Sequence, residues 1–552
     1  MVRSVIISMI FLGVVLLILP FGNAQDQGEI EDTQVIIEKD KPLTLPKANR
    51  LYKPTEISIN QFQPGNVEYT FSTIDFQPDE FQPVLGSKFY KGEAETNQSD
   101  NFVRLGFGNY QSPLVEGNYT MRVDKHYVNA YFFHESYAKG PVRDKESAFA
   151  ANQIRLKGHM DGDFHVDPFI NWSRDSYYFF GKDPGDLNPL MINDKVFLQT
   201  IAVGSEVRQG IESKLDYSFT PSYRNTVNKI TSSDRIALET ELSLDGGVSY
   251  GLVDNFDIGL DMRVATTKYE SVFLQRRNFF SVNPKLQYTF DKGSIEAGLA
   301  LASANDTTAQ SSSLYVFPDI DFNFSLSSDL TLYAQAGGGL QMNTLYSLAN
   351  ENRYLDDALT LLNQANKVDL KGGIKTSILK QLVLEASLAY SSIQNLPFFI
   401  HAPLDSSRFR VIYDSSSIVR TTLGVDVGYF SGEKLSINYS MKFFGYTLDT
   451  LSTPWYKPSS TMNVLVSSKV AENLKLDLNL LFMTGIKAPS PTDMSVVNLS
   501  SIFDLGVGLS YDINDQFSAF GYTRNLVGGN YQRYLNYPAR GISFKLGVLF
   551  RF

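Results

Sequence analysis

The sequence predicts an all-β chain: one large antiparallel transmembrane β-barrel of about 22 strands, within a range of roughly 20 to 24. Three observations predict it. The first is the last stretch, Gly541 to Phe552, where Ile542, Phe544, Leu546, Val548, Phe550 and Phe552 are apolar at every second position. Ser543, Lys545, Gly547 and Arg551 stand between them, and Leu549 is the exception. Strict period two makes a strand with one oily face and one wet face. The second observation is that short polar turns recur between runs of this kind. The third is composition: 39 Phe and 30 Tyr with only two Trp, and a mean hydropathy of −0.15. A membrane barrel hides from hydropathy averages because wet and oily residues alternate.

Composition also excludes several classes. No long apolar run follows the N-terminus, so no transmembrane helix is expected. The chain of 552 residues has no Cys, which removes disulfides and thiol chemistry. A net charge of −10 argues against a nucleic-acid partner. The length exceeds a usual single domain, but barrels grow by adding hairpins and need no second core.

In chain order, residues 1–24 read as an export signal. Arg3 is the positive end, Val5 to Leu19 is the apolar run, and Gly22-Asn23-Ala24 offers small residues for cleavage after Ala24. Residues 25–100 form a proline-rich periplasmic N-terminal segment. Acids open it, and Pro42, Pro46, Pro54, Pro64, Pro78 and Pro83 forbid a central strand or a long helix. One short strand, Val67 to Phe71, is expected there.

Residues 101–552 form the transmembrane β-barrel, starting with a strand at Phe102 to Phe107. Ten tight turns are read at Val123–Lys125, Met160–Asp163, Gly210–Glu212, Val253–Asn255, Asp291–Gly293, Ser327–Asp329, Leu379–Gln381, Ser431–Glu433, Ala471–Asn473 and Ile513–Asp515. Longer connections fall near Gly181–Asp194, Leu345–Asn366, Asn395–Arg408, Ala488–Asn498 and Asn525–Pro538. Short periplasmic turns and long extracellular loops are the outer-membrane pattern. Within the longest loop, Leu355 to Leu362 has helical spacing and reads as a short helix, solvated at the surface or, in the alternative, folded over the mouth. Leu505, Val507, Leu509 and Tyr511 alternate with Asp504, Gly506, Gly508 and Ser510, so charge faces the lumen and the lumen is wet. Strands running toward the short turns finish on Tyr250, Tyr288, Phe290, Tyr429, Tyr511 and Phe552, where amphipathic rings suit an interface.

The ending Tyr537-Pro538-Ala539-Arg540-Gly541 to Phe552, with the strand count, resembles the barrel of TonB-dependent receptors. Val103-Arg104-Leu105-Gly106-Phe107-Gly108-Asn109-Tyr110 before Pro113-Leu114, and Tyr531-Gln532-Arg533-Tyr534 before Tyr537-Pro538, are similar to a Bacteroidota-type branch. The resemblance implies an outer-membrane receptor barrel in a Gram-negative bacterium. Those receptors carry a plug domain, and residues 25–100 are too short and too proline-rich to read as one, so the chain is expected to lack it. Asp32, Thr33, Gln34, Val35, Ile36 and Ile37 loosely resemble the receptors' energy-coupling box and are the candidate partner-binding residues, by strand addition.

His126, His159, Asp161, Asp163 and His165 flank neighbouring turns and are candidate metal ligands. A polar wet rim explains them equally well, and no metal is assigned. His134-Glu135 sits on the far end of its strand with no partner visible in sequence. Gly337-Gly338-Gly339 reads as a strand bend or close packing. No nucleophile elbow or phosphate loop appears, so no catalytic or cofactor residue is named and an enzyme is not expected. Phe544, Leu546, Val548, Phe550 and Phe552 are expected to close the barrel in lipid.

The expected function is a receptor-like or porin-like outer-membrane barrel that passes or receives a polar solute. The alternative is a plugless structural or assembly subunit of an outer-membrane protein complex. Expected partners are outer-membrane lipid, the barrel-assembly machinery through the C-terminal strand, and a periplasmic or outer-membrane protein through residues 25–100.

Overall fold

Twenty-two antiparallel strands close on themselves in one sheet. The computed structural model describes residues 101–182, 194–209, 214–231, 236–305, 313–378, 381–432 and 434–552. The expected signal, the proline-rich segment and the coupling-box residues Asp32 to Ile37 lie outside the described residues.

The topology is a simple meander. Each barrel strand pairs with the next in sequence, and the first, Phe102–Gly108, pairs with the last, Ser543–Arg551. The seam register sets Val103 opposite Phe550, Leu105 opposite Val548 and Phe107 opposite Leu546. Asn109 extends the seam beyond the last pair: its side chain donates to Ile542 O at 2.8 Å and accepts from Phe544 N at 2.9 Å. Strand ends flank all ten expected short turns.

The alternation read from the sequence sorts onto the two faces of the wall. Leu546, Val548, Phe107, Val316 and Leu388 point outward, with Leu546 64% exposed and Val316 55%. A soluble protein does not leave such a band bare, and lipid is its natural solvent. At the short-turn rim the band ends in rings: Phe256 with Tyr288 at 5.6 Å, Phe290 with Phe324 at 6.4 Å, Phe517 with Phe550 at 4.9 Å and Tyr119 with Phe552 at 6.3 Å between centroids.

Inside, charges pair across neighbouring strands. Arg104 meets Glu116 at 2.8 Å, Glu241 meets Arg224 at 3.1 Å and Arg263 at 3.4 Å, and Arg277, 0% exposed, meets Glu239 at 3.0 Å. Pairing is what makes burial of these groups tolerable. Leu549, the exception in its strand's pattern, faces inward and packs with Leu114, Phe520 and Tyr522.

Strand length varies round the wall. Leu215–Ile230, Ile236–Val253 and Leu274–Phe290 have 16, 18 and 17 residues, while Phe102–Gly108, Phe517–Arg524 and Ser543–Arg551 have 7, 8 and 9. Two glycines matter for close approach. A Cβ on Gly547 would meet Leu105 O at 2.2 Å and the Phe520 ring at 2.4 Å, so the seam needs glycine there. Gly337 to Gly339 forms a bulge against the next strand, and a Cβ on Gly338 would strike the Phe317 ring.

The long connections carry structure of their own. Among the described residues, three two-stranded hairpins lie in them: Phe398–Ala402 with Asp405–Ile412, Lys487–Pro489 with Val496–Asn498, and Gln532–Tyr534 with Tyr537–Pro538. The helix of the longest loop is Leu345–Glu351, capped at Thr344, whose hydroxyl accepts Ser347 N while the Ser347 hydroxyl accepts Thr344 N. This corrects the expectation of a solvated helix at Leu355 to Leu362. That stretch is not helical, and Leu355, Leu359 and Leu361 are fully buried. Tertiary partners take the backbone bonds a helix would have used: Leu361 N donates to Gln275 Oε1 at 3.1 Å and Leu362 N to the Tyr413 hydroxyl at 3.2 Å.

Candidate functional site

The loops at the long rim do not lie open. Leu345, Leu348, Leu355, Leu359 and Leu361 from the longest loop pack with Phe398, Phe399 and Phe409 from the next. Trp455 and Tyr456 from a third loop, Ile486 and Ala488 from a fourth, and Tyr534 and Tyr537 from a fifth complete one hydrophobic cluster. The longest loop also bonds to the inner wall along the run of strands from Tyr177 to Arg277. The Tyr177 hydroxyl donates to Arg353 O at 2.5 Å, the Tyr269 hydroxyl to Asp357 O at 2.5 Å, and Arg277 to Asn363 at 3.2 Å. The loop therefore crosses the mouth, and the cluster caps it.

A buried loop must satisfy its own backbone. Phenols do much of this here, an oily ring with a donor at its tip. Tyr534 donates to Glu351 O and Tyr537 to Ser407 O. Asp414 gathers backbone N–H groups of Asp449 at 3.0 Å and Leu451 at 3.1 Å, and the Thr450 hydroxyl at 2.8 Å. Burial pushes its carboxyl up, but these donors outweigh burial and hold it below the usual carboxylate range. Arg408 clamps three segments: its guanidinium meets Asp194 at 2.8 Å, Asp405 at 3.0 Å and Asp356 at 3.5 Å, over the Phe179 ring at 5.0 Å.

Against this cap lies a cavity of about 100 Å³. Four arginines are among the residues that line it, Arg353, Arg524, Arg533 and Arg540, with one acidic residue, Asp504. Asp504 is already engaged by the Tyr531 hydroxyl at 2.5 Å and Asn525 N at 2.8 Å. The arginines are braced on rings: Arg540 over Tyr137 at 4.2 Å, Arg353 over Phe149 at 4.7 Å and Arg533 over Tyr534 at 5.0 Å. Part of their donor set is in use, Arg533 donating to Tyr456 O at 2.8 Å and Arg353 standing 3.9 Å from Asp175; the planar guanidinium fork as a group suits carboxylate or phosphate. Beneath them Glu135 accepts from Tyr522 at 2.8 Å and Arg524 at 3.2 Å, and pairs with Lys545 at 2.8 Å. Lys545 is 0% exposed, which corrects the expectation of a wet position: it faces inward, but into this hub.

At the opposite rim, His159, Asp161 and His165 come together, each offering an atom within 4.8 Å of the others. His126 instead accepts Asp161 N at 3.0 Å, and Asp163 is exposed and outside the group. Phe544, Leu546, Val548, Phe550 and Phe552 alternate along the outward face of the seam. The pocket arginines were missed as a group because they come from three separate segments. The one local signal was the cluster from Tyr531 to Arg540, noted only as a likeness.

A closed 22-stranded transmembrane barrel whose long-rim mouth is capped by its own loops, with an arginine-lined pocket against that cap, is the class the fold and site define. No family model matches the sequence, and no curated protein matches it. Solved structures do match. The chain is similar to the FrpB iron transporter from Neisseria meningitidis, with TM-score 0.66, 9% identity and coverage of 82% of this chain and 81% of that one. It is similar to the ferric-catecholate import receptor Fiu from E. coli K12, with TM-score 0.60, 9% identity and 82% of each chain covered. The ferripyoverdine receptor of the Pseudomonas aeruginosa outer membrane matches with TM-score 0.62 and 9% identity, over 82% of this chain and 72% of that one. At this identity the likeness defines the fold.

Proposed function

We propose that the chain is an outer-membrane transport barrel that receives a small anionic, oxygen-rich solute at its loop cap and passes it inward. The observation that carries this reading is the arginine-lined cavity inside an otherwise closed mouth. About 100 Å³ holds a phosphate- or carboxylate-sized group. The similar structures are named as import receptors and transporters, which supports transport rather than catalysis. The short turns then face the periplasm, the cap faces outside, and the mature chain begins after Ala24. Residues 25–100, through Asp32 to Ile37, dock a periplasmic or outer-membrane partner, and the C-terminal strand serves recognition by the assembly machinery.

The test uses purified barrel in planar bilayers. Wild type conducts little, and removing the hairpin Phe398–Ile412 raises conductance. Wild type binds added phosphate or citrate in calorimetric titration, and Arg533→Glu with Arg540→Glu abolishes that binding, with heat-dependent gel mobility unchanged. Equal anion response in wild type and the double variant would end the anion reading. A second reading, an assembly subunit, is favoured by Leu404, 89% exposed at the tip of a loop hairpin. Loss of an outer-membrane partner on Leu404→Ser, with conductance and anion response unchanged, would favour it.

A further inference from the structure

We propose that His159, Asp161 and His165 form a divalent transition-metal site at the short-turn rim, with Asp167 orienting one imidazole. The inference is independent of the cap and its solute.

The turn between Phe149–His159 and Phe164–Tyr178 brings these residues together. An antiparallel bridge between Met160 and Val166 sets the register, so that His159 faces Asp167 and Asp161 faces His165. Odd-numbered residues of both strands point inward, since Ile154, Leu156, Phe164 and Ile170 are the exposed apolar ones. Four polar side chains thus share one face of one hairpin.

Three details point to an ion rather than to a merely polar rim. His159 Nδ1 is 2.5 Å from Asp167 Oδ1, and Asp167 is held in turn by Arg208 at 3.3 Å. A carboxylate on one ring nitrogen fixes the tautomer and leaves the other, Nε2, as a ligand, the usual outer-shell arrangement around metals. His165 Nδ1 is buried and makes no aligned hydrogen bond, yet it lies 3.0 Å from Asp161 Oδ1. Two donors bound tetrahedrally to zinc sit roughly 3.4 Å apart, so this pair is already close to the spacing of co-ligands. Asp161 Oδ2 meets Lys125 at 3.4 Å, and Lys125, largely exposed, is free to swing away as Oδ1 binds. The two imidazoles stack at 5.5 Å and 22°, which presents their nitrogens side by side. Two imidazoles and a carboxylate suit zinc, nickel or copper rather than calcium or magnesium.

The test is calorimetric titration of ZnCl₂ into EDTA-stripped full-length barrel in detergent, with X-ray absorption on the loaded protein. Expected are one saturable zinc per chain and an absorption spectrum with two imidazole ligands. His165→Gln and His159→Gln each remove the binding. Asp167→Asn weakens it about 10- to 100-fold as a positioning residue, and Asp163→Asn leaves it unchanged. Heat-dependent gel mobility establishes that each variant is folded. The proposal is overturned by absence of saturable binding to folded wild type, by binding that survives in the double histidine variant, or by equal loss in Asp163→Asn.

Discussion

Replacing Glu135 by Gln tests how the seam is held. Glu135 lies 2.8 Å from Lys545 and 3.2 Å from Arg524. At an effective dielectric of roughly 20, a pair at 2.8 Å attracts by about 6 kcal/mol. Taking these charges out of water cancels most of that, so the intact hub contributes little net stability. Removing only the anion is another matter. Lys545 stays at 0% exposure beside a second cation, and the cost is about 3–5 kcal/mol. Lys545→Met costs less, about 1–3 kcal/mol, because Glu135 keeps Arg524 and the Tyr137 and Tyr522 hydroxyls. Phe550→Arg, at the short-turn rim, costs about 0–1 kcal/mol. Had Lys545 faced water, the lipid-facing Phe550 would be the more sensitive of those two. The assay is urea unfolding in lipid vesicles followed by tryptophan fluorescence, with midpoints compared at common slope. The double variant Glu135→Gln/Lys545→Met should recover part of the loss. A Glu135→Gln barrel within about 1 kcal/mol of wild type, or Phe550→Arg as the costliest change, refutes the charge-hub account.

Gly547→Val places methyls where Leu105 O and the Phe520 ring already sit, so the barrel should fail to close and lose its heat-dependent gel shift; a normal shift would show that the seam can yield. Asp414 has a depressed folded pKa, so its contribution is complete above the unfolded value of about 3.9 and lost as pH falls through the folded one. The Trp455 environment should therefore hold from neutral pH to about 4 and loosen below, and Asp414→Asn should abolish that acid step while lowering stability at neutral pH; an unchanged step counts against it. Tyr534→Phe with Tyr537→Phe strands the buried Ser407 carbonyl, at about 1–3 kcal/mol, and the half-buried Glu351 carbonyl at less, and should raise conductance without altering barrel mobility. Deleting residues 25–53 should leave conductance low, because the loops close the mouth, and remove any partner held by that segment; a large jump would assign closure to the segment instead.

The barrel was legible because period two is a local property. One face of each strand meets lipid and the other meets charge, and ten tight turns mark where the chain reverses. The cap was legible only as the alternative placement of the longest loop over the mouth, and Leu355 to Leu362 shows why. Its spacing satisfies a helix template, but Gln275 and Tyr413, distant in sequence, claim its backbone. The loop containing Trp455 and Tyr456 drew no notice at all, although both side chains are buried in the cap. Glu135 had no visible charged partner because Arg524 and Lys545 lie about four hundred residues away, across a seam that exists only after closure. Of the rim histidines, the turn predicted proximity, while the tautomer-fixing contact from Asp167 needed the register.

The unequal strand lengths have a consequence for the surrounding bilayer. Seven residues at about 3.3 Å each, tilted by roughly 40°, span only about 18 Å of membrane height. Eighteen residues span about 45 Å on the same terms. The hydrocarbon layer is nearer to 25–30 Å, so the tall side stands clear of it and the seam falls short. Lipid beside Phe102–Gly108 must thin to meet the wall, at a fraction of a kcal/mol per ångström of mismatch. The thinnest patch of membrane around this protein therefore coincides with the line where its first and last strands meet. A lipid mixture with longer acyl chains should strain that line first, opening the barrel along its closure before any other part of the wall gives way.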